Sequence, residues 1–236
     1  MVHATRTFHR IHGQSGGSTG TDDALAAGWE PGFGADIMGR NMFGPQRGPW
    51  ADREWKGWWG DDPPYHNPVF VLTHYPRPSI KMQGGTTFHF IDASPEVALK
   101  KAREAAGDLD VRIGGGPSTI RQFLAADLVD YLQITIVPIV LGRGERLWDG
   151  MEELERRFGV ESVTTPSGVT HLTLIARSPA NPVADALNGR RPLMLSREAA
   201  TLRGHEGQGA NPGATGRLCR QKGMCQRLRT MREPRR

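Results

Sequence analysis

The ten residues from Asp110 to Thr119, Asp-Val-Arg-Ile-Gly-Gly-Gly-Pro-Ser-Thr, are of the kinds that can hold an anion. A strand-forming run enters three glycines, and Pro117 then opens a helix. Glycine lets the main chain approach a ligand with no Cβ in the way. The first amides of a helix are unsatisfied donors at its positive end, so phosphate oxygens suit such a junction. Ser118 and Thr119 add hydroxyl donors. A tight strand–helix connection with no ligand is the other reading of the same residues. The segment is not a P-loop, because no Gly-Lys-Ser/Thr follows. Nor does the chain carry a Gly-x-Gly-x-x-Gly fingerprint at Gly142 and Gly144, where Leu147 occupies the third glycine position.

Two further groups sit where strands should end. Met38-Gly39-Arg40-Asn41-Met42-Phe43 combines a glycine with a guanidinium fork suited to phosphate and a neutral amide donor. Leu72-Thr73-His74 adds a hydroxyl and an imidazole. Three donor-rich strand ends on one α/β sheet form the place where open sheets bind ligands, which points to a phosphate-bearing cofactor. Asp61, Asp62 and His66 lie in a Trp-rich loop and are candidates either for proton transfer or for a solvated surface. Trp50, Trp55, Trp58 and Trp59 of the same loop either stack on a flat heterocycle or pack the loop onto the sheet. His9 and His12 have a metal-compatible spacing but no nearby carboxylate or thiol, so no metal site is assigned.

The elements that must position these groups read as follows. Residues 1–34 are poorly patterned, with one short helix at Thr21–Gly28 capped by Thr21 or Asp22. Strands are predicted at Ala35–Met38, Val69–Thr73, Thr86–Ile91 and Asp110–Ile113. Val69–Thr73 is apolar throughout, as expected of a strand buried on both faces. Ser94-Pro95-Glu96 is a strong helix start and Gly107 its stop. A second helix begins at Pro117, with Ile120, Phe123 and Leu124 on one face. Tyr131–Val140 reads as a strand interrupted by Pro138. Val160–Thr164 and Val169–Ala176 flank a Thr165-Pro166-Ser167-Gly168 turn, a closing hairpin. Strands alternating with helices imply parallel pairing. The fold class is therefore α/β, with a mixed, mostly parallel sheet and a C-terminal antiparallel hairpin.

Charge divides the chain. The 236 residues hold 30 Lys+Arg and 25 Asp+Glu, a net of +5, yet residues 178–236 alone carry +8 and the rest is mildly acidic. That tail has five prolines, seven glycines and no aromatic residue, and cannot bury enough apolar surface to order itself. It is expected to be a disordered basic tail, with a short helix near Leu193–Leu202 unsupported. Its arginines, among them Arg217, Arg220 and Arg229, could neutralise phosphates, but no aromatic interleaves them, so nucleic acid is not the expected partner. Both cysteines, Cys219 and Cys225, fall in the tail, which excludes a disulfide framework in residues 1–177 and makes a reducing cytoplasm the default. No apolar run is long enough to span a bilayer.

The ordered set of motifs also resembles a known superfamily. Met38-Gly39-Arg40-x-x-Phe43, Val69–His74, Ile113–Gly116 and Leu128-Val129-Asp130-x-Leu132 leading into Val137–Gly142 are similar, in order and spacing, to dihydrofolate-reductase-like proteins. Among these the match is to the reductase domain of riboflavin biosynthesis, over about residues 35–176. The resemblance implies a three-layer fold and an NADPH-dependent reductase of dihydrofolate or of 5-amino-6-(5-phosphoribosylamino)uracil type, acting on a pterin- or aminopyrimidine-like heterocycle by direct hydride transfer. It implies that Gly39, Arg40, Asn41, Thr73 and His74 hold the adenosine phosphates. Gly114, Gly115, Gly116, Ser118 and Thr119 would hold the pyrophosphate. A homodimer is the implied assembly. The family's first strand, ending in Ser-Leu-Asp-Gly, has no counterpart in residues 1–34, and the family's usual proton-donor region goes with it. No catalytic residue is therefore named, and weak or absent turnover is expected. Ile113 stands where riboflavin-type members tend to carry an acidic residue. The alternative is a nucleotide-binding protein of the same fold without catalysis.

Overall fold

The computed structural model describes residues 4–28 and 32–177 and the backbone of 226–230. Helices α1 (Arg6–Ile11) and α2 (Thr21–Ala27) precede strand β1 (Phe33–Gly39) and the single turn α3 (Arg40–Phe43). After the Trp-rich loop come β2 (Pro68–Leu72), β3 (Ile80–Lys81), β4 (Thr87–Ile91), α4 (Pro95–Ala106), β5 (Asp110–Gly114) and α5 (Pro117–Ala125). The remaining elements are β6 (Tyr131–Ile136), α6 (Leu154–Arg157), β7 (Phe158–Thr164), β8 (Thr170–Ala176) and β9 (Gln226–Thr230).

The nine strands among the described residues form one sheet in the order β3-β4-β2-β1-β5-β9-β6-β8-β7. Strands β4, β2, β1 and β5 are mutually parallel, as short apolar runs joined through loops and helices should be. On the far side, β6, β8 and β7 are antiparallel, with β7 and β8 joined by the expected hairpin. The expected mixed α/β architecture is thus present.

Helix α4 shows how the local signals act. Ser94 Oγ accepts from the Val97 amide, Pro95 fills the first helical position, Glu96 sits in the first turn, and Gly107 at φ +59° ends the helix. Its Ala98, Leu99 and Ala102 pack on Ala35 and Ile37 of β1, together with Ile113, Ile120, Phe123 and Leu132. A Cβ on Gly34 would come within 2.4 Å of the Ala106 carbonyl, so glycine is what lets helix and strand approach so closely. The opposite face holds a second cluster of Met38, Phe43, Val69, Val71, Phe88 and Phe90, covered by Trp50, Trp55, Trp59 and Tyr65. Burial of large side chains at about 1.5–3 kcal/mol each on both faces explains why β2 shows no alternation. The tryptophans mainly roof the sheet, as the packing alternative held, although Trp58 remains exposed. On the same face as that roof, α2 rests against the hairpin through Asp22, which accepts from Ser167 Oγ at 2.6 Å and contacts His171 Nε2 at 3.0 Å.

Three expectations need correction. Strand β6 stops at Ile136 and does not reach Val140. Pro138 has no amide to give, the Ile139 amide turns back to the Val137 carbonyl at 2.8 Å, and Val140 is 99 % exposed. The cap of α2 is Gly20, with no side-chain hydrogen bond, because Asp22 is drawn away to Ser167 and His171. The tail expected to be disordered over 178–236 contributes a strand, β9, which pairs on both edges between β5 and β6. Residues 178–225 and 231–236, with Cys219, Cys225, Arg217, Arg220 and the Leu193–Leu202 segment, lie outside the described residues.

Candidate functional site

Parallel strands bring their carboxyl ends to one edge, and register brings particular residues together. Met38 lies beside Gly114 and Gly39 beside Leu72, so the residues that follow β1, β2 and β5 emerge side by side. A Cβ on Gly39 would stand 2.2 Å from Thr119 Oγ1. Gly115, at φ +137°, carries a conformation that side chains rarely adopt, and a Cβ there would lie 3.5 Å from the Gly39 amide nitrogen. The loops after β1 and β5 therefore touch through their backbones. Gly116 caps α5 without any side-chain partner, and nothing lies within 4 Å of where its Cβ would be. The start of this nine-residue helix thus opens onto the same edge.

Arg40 leaves this edge toward the Trp-rich loop. Its guanidinium carbon lies 3.8 Å from the Trp50 ring centroid, and Nη1 donates to the Gly48 carbonyl. Its Nε and Nη2 are buried and have no hydrogen-bond partner. Arg77 stands at 4.2 Å from the same indole and 4.3 Å from Phe90, and donates to the Arg53 and Trp55 carbonyls, while its Nε is likewise buried without a partner. Burial pulls the pKa of Arg40 below the ordinary guanidinium value. Burial, and then the charge of Arg40, does the same to Arg77. Two cations lie against one indole, each with a buried nitrogen that lacks a partner, and a nearby anion would offset their repulsion.

The other predicted residues divide. Thr73 is buried, and its hydroxyl accepts from the Tyr75 amide at 3.1 Å, closing a turn that carries the chain to Arg77. His74 points outward, with its side chain 92 % exposed and Nδ1 3.1 Å from Asp92 at the end of β4. Asn41, Gly116 and Ser118 are exposed on the edge, while Gly114, with Met42 beneath it, and Thr119 are half-buried. Sequence reasoning missed Arg77. Its signal is its place in Tyr75-Pro76-Arg77-Pro78 just beyond Thr73, where two prolines fix the path of the chain.

Asp61, Asp62 and His66 lie before β2, at the opposite end of the strand from Thr73. His66 Nδ1 meets the Gly84 carbonyl at 2.8 Å and the Gln83 amide donates to the Asp61 carbonyl, so the group ties the loop to the turn at Gln83–Gly85. His9 and His12 direct their Nδ1 atoms to the Ser15 and Phe8 carbonyls. Asp36 is only 2 % exposed and is held by Arg112 Nε at 2.5 Å and Asn67 Nδ2 at 2.9 Å. Burial, and next the Asp36 charge, push the neighbouring Tyr65 phenol upward. The Asp36 carboxylate is engaged by both Arg112 and Asn67. A cavity of about 480 Å³ lies elsewhere, between β4 and α4, over Phe70, Phe90 and Ile91. Ser79 and His89 share a 2.9 Å hydrogen bond on its wall.

The fold defines an α/β protein whose glycine-rich and donor-bearing loops gather at the carboxyl ends of its parallel strands, the edge where open sheets can bind ligands. The chain belongs to the family of the RibD C-terminal domain, whose model matches residues 37–172. Among solved structures, it is similar to a protein assigned to riboflavin biosynthesis from Shewanella sp. PV-4. There the identity is 23 % and the TM-score 0.38, covering 62 % of this chain and 75 % of that one. It is also similar to a pyrimidine reductase-like protein from Corynebacterium diphtheriae, with 16 % identity and a TM-score of 0.38, covering 68 % of this chain and 83 % of the other. No curated protein matches the chain by sequence. No helix among the described residues is long and apolar enough to cross a membrane.

Proposed function

We propose that the protein is an NADPH-dependent oxidoreductase that reduces a pterin- or aminopyrimidine-like heterocycle by direct hydride transfer. Family membership supports the reaction class. The observation that carries the cofactor reading is the pair of half-buried guanidinium groups around Trp50, three of whose nitrogens are buried without a partner, next to two glycine loops in backbone contact. A phosphate-bearing nucleotide fits this donor set, because its oxygens would satisfy Arg40 Nε and Nη2 and offset the repulsion between the two cations. When bound, NADPH supplies the hydride.

The chain's own residues do the rest. Arg40, with Arg77 behind it, takes the phosphate that distinguishes NADPH from NADH, and Asn41 and Thr73 line the approach. Gly114, Gly115 and Gly116 let the pyrophosphate close on the main chain, and the first amides of α5 at Ser118 and Thr119 donate to it. His74 lies at the rim with Asp92 and contributes least.

The test is a titration of intrinsic tryptophan fluorescence with NADPH and with NADH, followed by measurement of NADPH consumption with pterins and phosphoribosylaminopyrimidines. An NADPH preference of about tenfold or more is expected, with turnover on one heterocycle class. Equal affinity for the two nucleotides would overturn the assignment of Arg40. A second reading, nucleotide binding without catalysis, is favoured by one observation: on its β6 side, β5 is bordered by an antiparallel strand from the tail. Tight binding with no turnover on any heterocycle would establish that reading.

A further inference from the structure

Strands β5 and β6 do not pair with each other. The strand between them, β9, is the last described segment of the chain and runs antiparallel to both. Its register sets Leu228 opposite Ile113 on one side and Leu132 on the other, and both of those residues are fully buried. Arg229 falls opposite Arg112 and Tyr131, in the row that also contains Asp36. A central strand uses its main-chain groups on both edges, and without it β5 and β6 would each present an open ladder. The sheet would then divide into the parallel part that carries the glycine loops and the antiparallel part that carries the hairpin.

We propose that the gap between β5 and β6 is a strand-acceptor site whose occupant is the chain's own Gln226–Thr230 segment. Its insertion joins the two halves of the sheet and steadies the exit of β5 into Gly114–Gly116. The segment follows every other described strand in sequence, so it can close the ladder between the two halves by strand addition. Tethering to the same chain gives the segment a high effective concentration, which lets so short a strand compete. The inference rests on strand pairing alone and is independent of the cofactor reading.

Amide hydrogen exchange on the full chain tests it. The amides of Arg227–Thr230 are expected to be protected together with those of Val111–Ile113 and Leu132–Ile134. In the full-length Leu228→Pro variant, which loses a main-chain donor in the middle of the strand, β5 and β6 should exchange at least about tenfold faster, a loss of some 1.4 kcal/mol of protection. Val69–Val71 and Phe88–Phe90 should keep their rates. A labelled peptide spanning residues 222–234, with Cys225→Ser, should bind the variant and not the parent, whose gap is filled. Coil-like exchange of residues 227–230 in the parent overturns the proposal, and that measurement stands even if the variant fails to fold. Unchanged rates in β5 and β6 of a folded variant overturn it equally. A concentration-dependent dimer of the parent whose dissociation removes the protection would assign the occupant to a second copy and overturn the own-chain assignment.

Discussion

Two arginines on the same sheet have opposite surroundings. Arg112, midway along β5, meets a buried carboxylate in register across the ladder, with Asn67 completing the group. Arg40, one residue beyond β1, meets an indole and a single carbonyl, and two of its nitrogens are buried with no partner. A fold that only needed a cation at each position would satisfy both in the same way. Within the sheet, Asp36 and Arg112 satisfy each other, while at the carboxyl end Arg40 keeps two buried nitrogens without a partner. The first arrangement is that of a structural ion pair, and the second is the one the proposed nucleotide site would use.

That contrast can be broken from either side. The largest effect should come from Asp36→Ala, which leaves Arg112 without its counter-ion and frees Asn67. Loss of a buried partner costs about 3–5 kcal/mol, and urea unfolding should show a reduction of that order. Gly39→Ala should cost about 1–3 kcal/mol by overpacking, because its new methyl meets Thr119. Adding Thr119→Ala should restore most of the stability, and a double-mutant cycle reads the coupling directly. Arg40→Leu should leave unfolding free energy within about 1 kcal/mol of the parent while weakening NADPH at least tenfold, or about 1.4 kcal/mol. Arg40→Lys should not rescue it, since an ammonium lacks the planar fork.

The smallest effect concerns pH. Burial tends to raise the pKa of Asp22, but the hydrogen bonds from Ser167 and His171 prevail and hold it below the ordinary 3.8. A folded value that is depressed contributes stability above the unfolded value, and this is lost as pH falls through the folded one. Below about pH 4 the parent should therefore lose stability more steeply than Asp22→Asn, as thermal unfolding across acidic buffers would show.

How much of this could be read beforehand depended on how local the cause was. Helix α4 was legible because Ser94, Pro95, Glu96 and Gly107 act within their own turns. The positions of Gly39 and Gly115 were legible as strand ends, but their mutual contact was not, because it depends on the register of two strands far apart in sequence. Arg77 carries no periodic signal, since stacking on an indole leaves no pattern along the chain. Strand β9 was missed for a related reason: a single leucine among arginines, glutamine and threonine reads as tail until two open ladders supply its pairing. Asp22 looked like a helix cap because its distant partners on the hairpin were invisible locally.

The contact between the loops after β1 and β5 also bears on the kinetics of recognition. With Thr119 set close against Gly39 and Gly115 close to the same backbone, the two loops are packed as one lip rather than two separate jaws. A ligand meeting a preformed lip has little chain entropy to remove on arrival. If a nucleotide binds at this edge, its capture should therefore follow a single diffusional phase, without a slower closing phase behind it, in stopped-flow binding.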